Sequence, residues 1–423
     1  MKKSILLFFV LLIISTISLL AIEAQQRFPK PDFATGYTQP GTTAPLARFE
    51  MLEYLDVIIL LAVLLISTWF ILKKRSRIGV FWISVFSLLY FGLYREGCIC
   101  AIGSIQNVIL AFVDPSYAIP VTALAFFLLP LIFALFVGRI FCAGACPLGA
   151  IQDFVIFQPI ELPKWIQQIL GLIPFLYLGL AALFVATKSD FIICRYDPFV
   201  GFFRMDAPFH MVVLGVLFLL VGIFVARPYC RFFCPYGVLL GWMSKFSSRH
   251  MTITPSACIQ CKLCANSCPF GAIDEPVAET GKRRSNVNRF IIYFLVFPLW
   301  IGLGGFAGSK MQVPLSLINR TVYLADLIVK HPEVKNDPNN IDVRSFMSLG
   351  KSTEKLMAEA VAIRKQFYIG GWILGGFMGF VIGSRLMSLS VFRRREDWEP
   401  NKTNCLSCAR CMSYCPVKEE LKK

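Results

Sequence analysis

Charge is the first thing this sequence lacks. Of its 423 residues only 16% are Asp, Glu, Lys or Arg, against about 25% in a typical soluble chain. Hydrophobic residues make up 56%, and the mean hydropathy is +0.64. An ordinary soluble enzyme, a disordered chain and a small disulfide scaffold are excluded. Histidine is also scarce: His210, His250 and His331 are the only three, too few and too scattered for a bis-His haem site. There is no Cys-x-x-Cys-His, Walker A loop, Gly-x-Gly-x-x-Gly, Gly-x-Ser-x-Gly or His-Glu-x-x-His, so covalent haem, phosphate cradles and the common hydrolase centres have no motif here. Acidic residues are the rarer charge, 26 against 42 basic, for a net charge of +16. In a soluble chain that excess would suggest nucleic acid. In one this apolar, Lys and Arg flank hydrophobic spans and orient them, so the expected partner is membrane lipid and no nucleic acid.

Long apolar runs are present. Met1–Ala24 reads as a signal peptide or N-terminal anchor, and residues 25–54 as an exported arm. Seven stretches, near 55–72, 78–94, 118–138, 169–187, 210–226, 289–308 and 367–387, are long enough, or nearly so, to cross roughly 30 Å of hydrocarbon as helices. Lys73, Lys74, Arg75 and Arg77 follow the first span and set that end on the cytoplasmic side. Alternating from there, residues 55–250 form a transmembrane core and residues 309–366 an exported loop. A helix over Ser352–Gln366 is expected at the end of that loop, with Leu356, Ala360 and Ile363 on one face, as a solvated cap, with partner docking as the alternative.

There are 15 cysteines, in short, Pro-punctuated runs that point to metal ligation rather than disulfides. Cys258-x2-Cys261-x2-Cys264-x3-Cys268-Pro269 and Cys405-x2-Cys408-x2-Cys411-x3-Cys415-Pro416 both have the spacing of a bacterial ferredoxin run. Three closely spaced thiolates wrap three corners of an iron–sulfur cube, and the fourth Cys ligates the other cube in two-cluster ferredoxins. Two [4Fe–4S] clusters are therefore expected in segments 251–288 and 388–423. One cluster takes Cys258, Cys261, Cys264 and Cys415; the other takes Cys405, Cys408, Cys411 and Cys268. Two independent clusters, each with its own four Cys, are the alternative, and structural zinc prefers paired Cys-x2-Cys knuckles. The expected fold is an α-helical integral membrane protein. It is a bundle of about seven transmembrane helices, plus the N-terminal signal or anchor, with a small split ferredoxin-like α+β module on the cytoplasmic side.

An internal repeat adds a second Cys set. Phe136–Gly149 aligns with Phe224–Gly237 at an offset of 88, placing Cys142-x3-Cys146-Pro147 over Cys230-x3-Cys234-Pro235. Each pair directly follows a span, so the four thiolates are candidates for a further iron–sulfur cluster, another metal or a redox-active dithiol at the membrane face. Arg139 and Arg227 precede these loops; interfacial anchoring is the expected role, with offsetting thiolate and cluster charge as the alternative. A weaker echo relates Cys100–Asn107 to Cys146–Asp153 and hints at the inverted symmetry of transporters, although no charge stands deep in a span as transporters commonly require. Cys98, Cys100 and Cys194 are expected on the exported side, as metal ligands with Asp197 completing the set, or as a disulfide in that oxidising compartment.

The spans at 118–138 and 210–226 with their Cys-x3-Cys-Pro loops, followed by the run at Cys258, resemble the NapH/NosR-type membrane-bound polyferredoxins. The resemblance covers roughly residues 55–275 and the C-terminal Cys run. It implies electron transfer at the bacterial inner membrane, between the quinone pool or a cytoplasmic donor and a periplasmic redox partner bearing flavin or haem. The exported flavin domain of NosR-like members has no counterpart in the resemblance. CcoG-type assembly factors are similar in the same motifs and imply copper reduction or handling as a second reading.

Overall fold

The computed structural model describes residues 49–97, 101–160, 162–253, 258–277, 283–333, 340–348, 352–391 and 395–417. Among them the chain is mostly helical, because a backbone in hydrocarbon must satisfy its N–H and C=O groups within its own segment. In chain order the main helices are α1 (Glu50–Lys73), α2 (Arg77–Tyr94), α3 (Ala101–Val113), α4 (Val121–Val137), α5 (Pro147–Phe154), α6 (Lys164–Ala186), α7 (Phe209–Phe224), α8 (Pro235–Lys245), α9 (Arg283–Lys310), α10 (Arg320–Lys330), α11 (Ile341–Ser348) and α12 (Thr353–Ser390). Each of the seven apolar stretches falls on a helix. Among the described residues five of these helices, α1, α2, α6, α9 and α12, are long and apolar enough to cross a membrane, and the protein is multi-pass.

The other two, α4 and α7, have 17 and 16 residues, about 25 Å of rise. They stop short because the chain turns out of the helix to deliver the Cys loops. Gly138 follows α4 at φ 89°, and Arg227 follows α7 at φ 47°. Helix α3 lies outside the seven stretches. Its first six residues are buried, while Phe112 near its end is exposed, so it enters the bundle without crossing it.

Helices α9 and α12 pack backbone against backbone. A Cβ on Gly375 would collide with the Gly304 carbonyl, and one on Gly308 with the Gly371 carbonyl. Small residues are what let membrane helices approach this closely. The described residues of 309–366 fold as a cap with a core of its own. Helices α10 and α11 and the start of α12 enclose a second core of Val322, Ala325, Ile328, Val343, Phe346, Leu356 and Ala360. The expected 352–366 helix and the last span are one continuous helix of 38 residues, about 57 Å long, so its first turns project well beyond roughly 30 Å of hydrocarbon. The Asn319 side chain accepts from the Thr321 and Val322 N–H groups and donates to Ser189 Oγ at 2.9 Å, which ties the cap to the turn after α6.

The two ferredoxin segments meet in a short antiparallel pair. Strand β1 (Ile273–Asp274) runs against β2 (Glu399–Pro400), with Ile273 opposite Pro400. Asn401 N donates to Ala272 O at 2.8 Å, and Arg395 pairs with Asp274 at 2.9 Å. Segments separated by two long helices therefore share one small α+β unit, packed on the core formed by α1–α8.

Candidate functional site

Two cavities in that unit are each lined by four thiols. The first is bordered by Cys258, Cys261, Cys264 and Cys415 with Ile253, Trp398 and Val417. The second is bordered by Cys268, Cys405, Cys408 and Cys411 with Met251, Phe270 and Leu406. In each, three Cys come from one run and the fourth from the other. The cause is local: Cys268 and Cys415 stand just after the short helices Leu263–Asn266 and Arg410–Tyr414, and the β1–β2 pairing turns each toward the other run.

The two cavities differ in exposure. Cys261 is exposed and Cys258 half-buried, whereas Cys405, Cys408 and Cys411 are all buried. Burial pushes the Cys405 thiol up to about 12, with Cys408 and Cys268 adding to the rise. Backbone N–H groups point at these sulfurs: Ser407 N lies 3.4 Å from Cys405 Sγ and Ala272 N 3.5 Å from Cys268 Sγ. Such donors favour a negatively charged sulfur. Among the described residues no three His, Cys, Asp or Glu side chains are arranged to hold a single metal ion. Thiols set around a cavity suit a cube of iron and sulfide, whereas zinc at 2.3 Å from each sulfur draws its ligands together.

The membrane-face cysteines converge as well. Cys142, Cys146, Cys230 and Cys234 are all buried. Burial raises the Cys146 thiol well above its ordinary range, and the neighbouring Cys230, Cys142 and Cys234 raise it further. A pseudo-twofold exchange of arginines holds the two loops together. Arg227 Nη1 donates to Cys142 O and lies 3.1 Å from where a Cβ on Gly149 would be. Arg139 Nη2 lies 3.1 Å from the same point on Gly237 and 3.9 Å from Cys142 Sγ. Each repeat thus needs Gly after its Cys-Pro so that the other repeat's guanidinium fits.

These arginines correct the expectation of interfacial anchoring, because Arg227 is 0% and Arg139 8% exposed. They also reach the second cavity: Arg139 Nη1 donates to Thr403 O at 3.1 Å, two residues before Cys405. Asp153, at the end of α5, gathers the charge. Its carboxylate binds Arg77, Arg227 at 3.3 Å and Arg410 at 3.3 Å. Burial alone would raise this carboxyl, but Arg227, Arg77 and Arg410 hold it well below the usual carboxylate range. Three guanidiniums on one carboxylate leave a positive surplus beside the thiols. Sequence reasoning missed Asp153; the signal available was an acid seven residues after Cys146 in a segment otherwise nearly free of acids.

On the remaining Cys set the structure is partial. Cys98 and Cys100 lie outside the described residues. Cys194 is a free, exposed thiol, and Asp197 is buried three residues on.

A sequence-family model described as a 4Fe-4S binding domain matches residues 119–173, 207–254 and 264–288. A second model of the same description matches 251–274. The first takes in both halves of the repeat with their Cys-x3-Cys-Pro loops. Curated relatives share the same region. The putative electron transport protein YccM of Escherichia coli is 26% identical over 33% of this chain and 43% of its own. Protein NirI of Paracoccus denitrificans is 28% identical over 48% and 32%. The regulatory protein NosR of Stutzerimonas stutzeri is 25% identical over 47% and 29%. The chain is similar to the iron–sulfur membrane proteins of the NapH/NosR type. It spans less than half the length of these three relatives, though the match to the Methanocaldococcus jannaschii protein MJ0750, 26% identical, takes in 82% of that protein. No solved structure matches the chain.

Proposed function

We propose that this NapH/NosR-type protein relays electrons across the bacterial inner membrane, between the quinone pool or a cytoplasmic donor and a redox partner on the exported side. Cys258, Cys261, Cys264 and Cys415 hold one [4Fe–4S] cluster, and Cys268, Cys405, Cys408 and Cys411 the other. Cys142, Cys146, Cys230 and Cys234 hold a third centre at the membrane face. Bound clusters supply one-electron transfer, and the chain supplies their position, charge and shielding from water.

The observation that carries this reading is the continuity of the three thiol sets. The half-exposed first cavity abuts the buried second one, and Arg139 and Arg227 bridge from the second to the membrane-face thiols. Their charge offsets thiolates brought together in a water-poor site, and the N–H donors on Cys405 and Cys268 act in the same direction. The excess of Lys and Arg on the ferredoxin side supports a cytoplasmic location for those segments. YccM, which this chain resembles, is named as a putative electron transport protein.

The test is iron and acid-labile sulfide per chain, with electron paramagnetic resonance of the reduced, anaerobically purified protein. At least about twelve iron per chain is expected from three four-iron sets. Cys142→Ser or Cys230→Ser should lose about four of them and leave both ferredoxin signals. Colourless, zinc-loaded protein would overturn the proposal.

A further inference from the structure

Trp398 is one of seven tryptophans and the only one that borders either thiol-lined cavity. It immediately precedes β2, so the pairing with β1 that brings the two runs together carries this indole to the first cavity as well. Two side-chain contacts fix its segment. Arg395 pairs with Asp274 at 2.9 Å, and Gln260 Nε2 donates to Glu396 O at 3.3 Å. Gln260 and Lys262 flank the exposed Cys261 and both take left-handed backbone, at φ 51° and 64°, a region that residues with a side chain use sparingly. Lys262 Nζ stands over the Trp398 ring, 6.0 Å from its centroid, at the outer limit of a cation–π contact. The ring is thus held by its own strand and by the loop around Cys261.

Its nitrogen has no such support. Trp398 Nε1 is buried and has no acceptor among the described residues. An indole N–H can only donate, and a buried one usually finds a partner. Leaving it unmet costs about 1–3 kcal/mol, so an acceptor belongs beside it. Among the side chains that border the first cavity, only Cys258, Cys261, Cys264 and Cys415 carry an acceptor atom. The Ile253 carbonyl at the same cavity already accepts from Arg75 Nη1 at 3.3 Å. In the second cavity, peptide N–H groups face the sulfurs of Cys405 and Cys268. In the first, a side chain is available for that task.

We propose that Trp398 Nε1–H donates to sulfur in the centre held by Cys258, Cys261, Cys264 and Cys415, and that this donor raises the midpoint potential of that centre. A hydrogen bond to sulfur favours the reduced state, which carries one more negative charge. Trp398 therefore draws electrons onto the more exposed of the two ferredoxin centres, the one that a donor in water can approach. The proposal rests on the relay reading and deepens it, because it makes one named side chain a control on electron entry.

The experiment uses the full chain, purified anaerobically in detergent. Trp398→Phe keeps an aromatic ring and removes the donor. Iron per chain should stay the same. The midpoint of the signal that Cys258→Ser abolishes should fall by about 59 mV, a tenfold change in the one-electron equilibrium, while the second-cavity midpoint holds. A second measurement needs no substitution. In wild-type protein carrying 15N-indole tryptophan, pulsed electron paramagnetic resonance of the reduced first-cavity centre should show a nitrogen coupling, together with an exchangeable proton that disappears in deuterated water. A ring that only fills space would give neither coupling nor a lowered midpoint. An unmoved or raised midpoint in Trp398→Phe overturns this proposal alone. If that variant loses the first-cavity signal, the labelled wild type decides, and absence of the nitrogen coupling there overturns the proposal. A wild-type protein without iron overturns the proposal and the relay reading together.

Discussion

Asp153→Asn tests the charge cluster between the membrane-face thiols and the second ferredoxin cavity. The substitution keeps shape and removes one negative charge from a site where Arg227 is completely buried and Asp153 is 2% exposed in its side chain. At 3.3 Å and an effective dielectric near 20, one such contact is worth about 5 kcal/mol before desolvation. Arg77 and Arg410 are 18% and 23% exposed and are partly screened. Removing one partner of a buried ion pair costs about 3–5 kcal/mol, because the other charge stays uncompensated. We expect that loss, measured as the shift in denaturant or thermal unfolding in detergent, followed by bleaching of the iron–sulfur absorbance. The potentials give an independent sign. Neutralising Asp153 makes the surroundings one charge more positive, which favours the reduced, more negative state. Midpoints of the centres in the second cavity and at the membrane face should therefore rise. Arg410→Gln should lower the second-cavity midpoint, and the first cavity, which Arg410 does not line, should hold steady in both variants. An Asn variant within about 1 kcal/mol of wild type, with potentials unmoved or lowered, would refute the reasoning.

Ligand exchange between the ferredoxin runs is directly testable. Cys415→Ser should abolish the signal that Cys258→Ser also abolishes, and Cys268→Ser the one lost in Cys408→Ser; the opposite pairing would mean that each run serves its own cluster. Stability should also depend on pH through His250, whose imidazole burial pushes down to about 4, with Lys402 adding to the fall. The unfolded ring takes its proton near 6.5, so the unfolded state binds more protons between those values. Stability is then full above about pH 6.5 and falls by about 1.4 kcal/mol per unit as pH drops toward 4. His250→Asn should flatten that slope in unfolding measured across the range, and an unchanged slope would assign it to other groups.

Much of this protein was legible in its residue order. Apolar runs near 20 residues dictate helices wherever water is excluded, and all seven fell on helices. The Cys-x2-Cys-x2-Cys-x3-Cys-Pro spacings announce iron–sulfur chemistry because spacing alone sets which thiolates can reach one cube. The offset of 88 residues between the Cys-x3-Cys-Pro loops announced a repeat. What stayed hidden depended on contacts between distant segments. Periodicity could not tell that α4 and α7 stop short, since the cause is the left-handed turn each makes to present its thiols. The cap at 309–366 was expected from the sequence as a solvated one, but not its own core, since α10 and α11 are apolar only on the faces that meet α12.

The sequence by itself determined that this chain lives in a membrane and carries thiolates spaced for iron and sulfide. Those properties are local, written in composition and in separations of a few residues. Only the tertiary structure decided which thiols share a cavity and that Arg139 and Arg227 are buried beside them. It alone left the Gln106 amide nitrogen buried without a partner among the described residues. Each of these depends on residues 85 to 264 positions apart being brought within a few ångströms, and no local pattern encodes that.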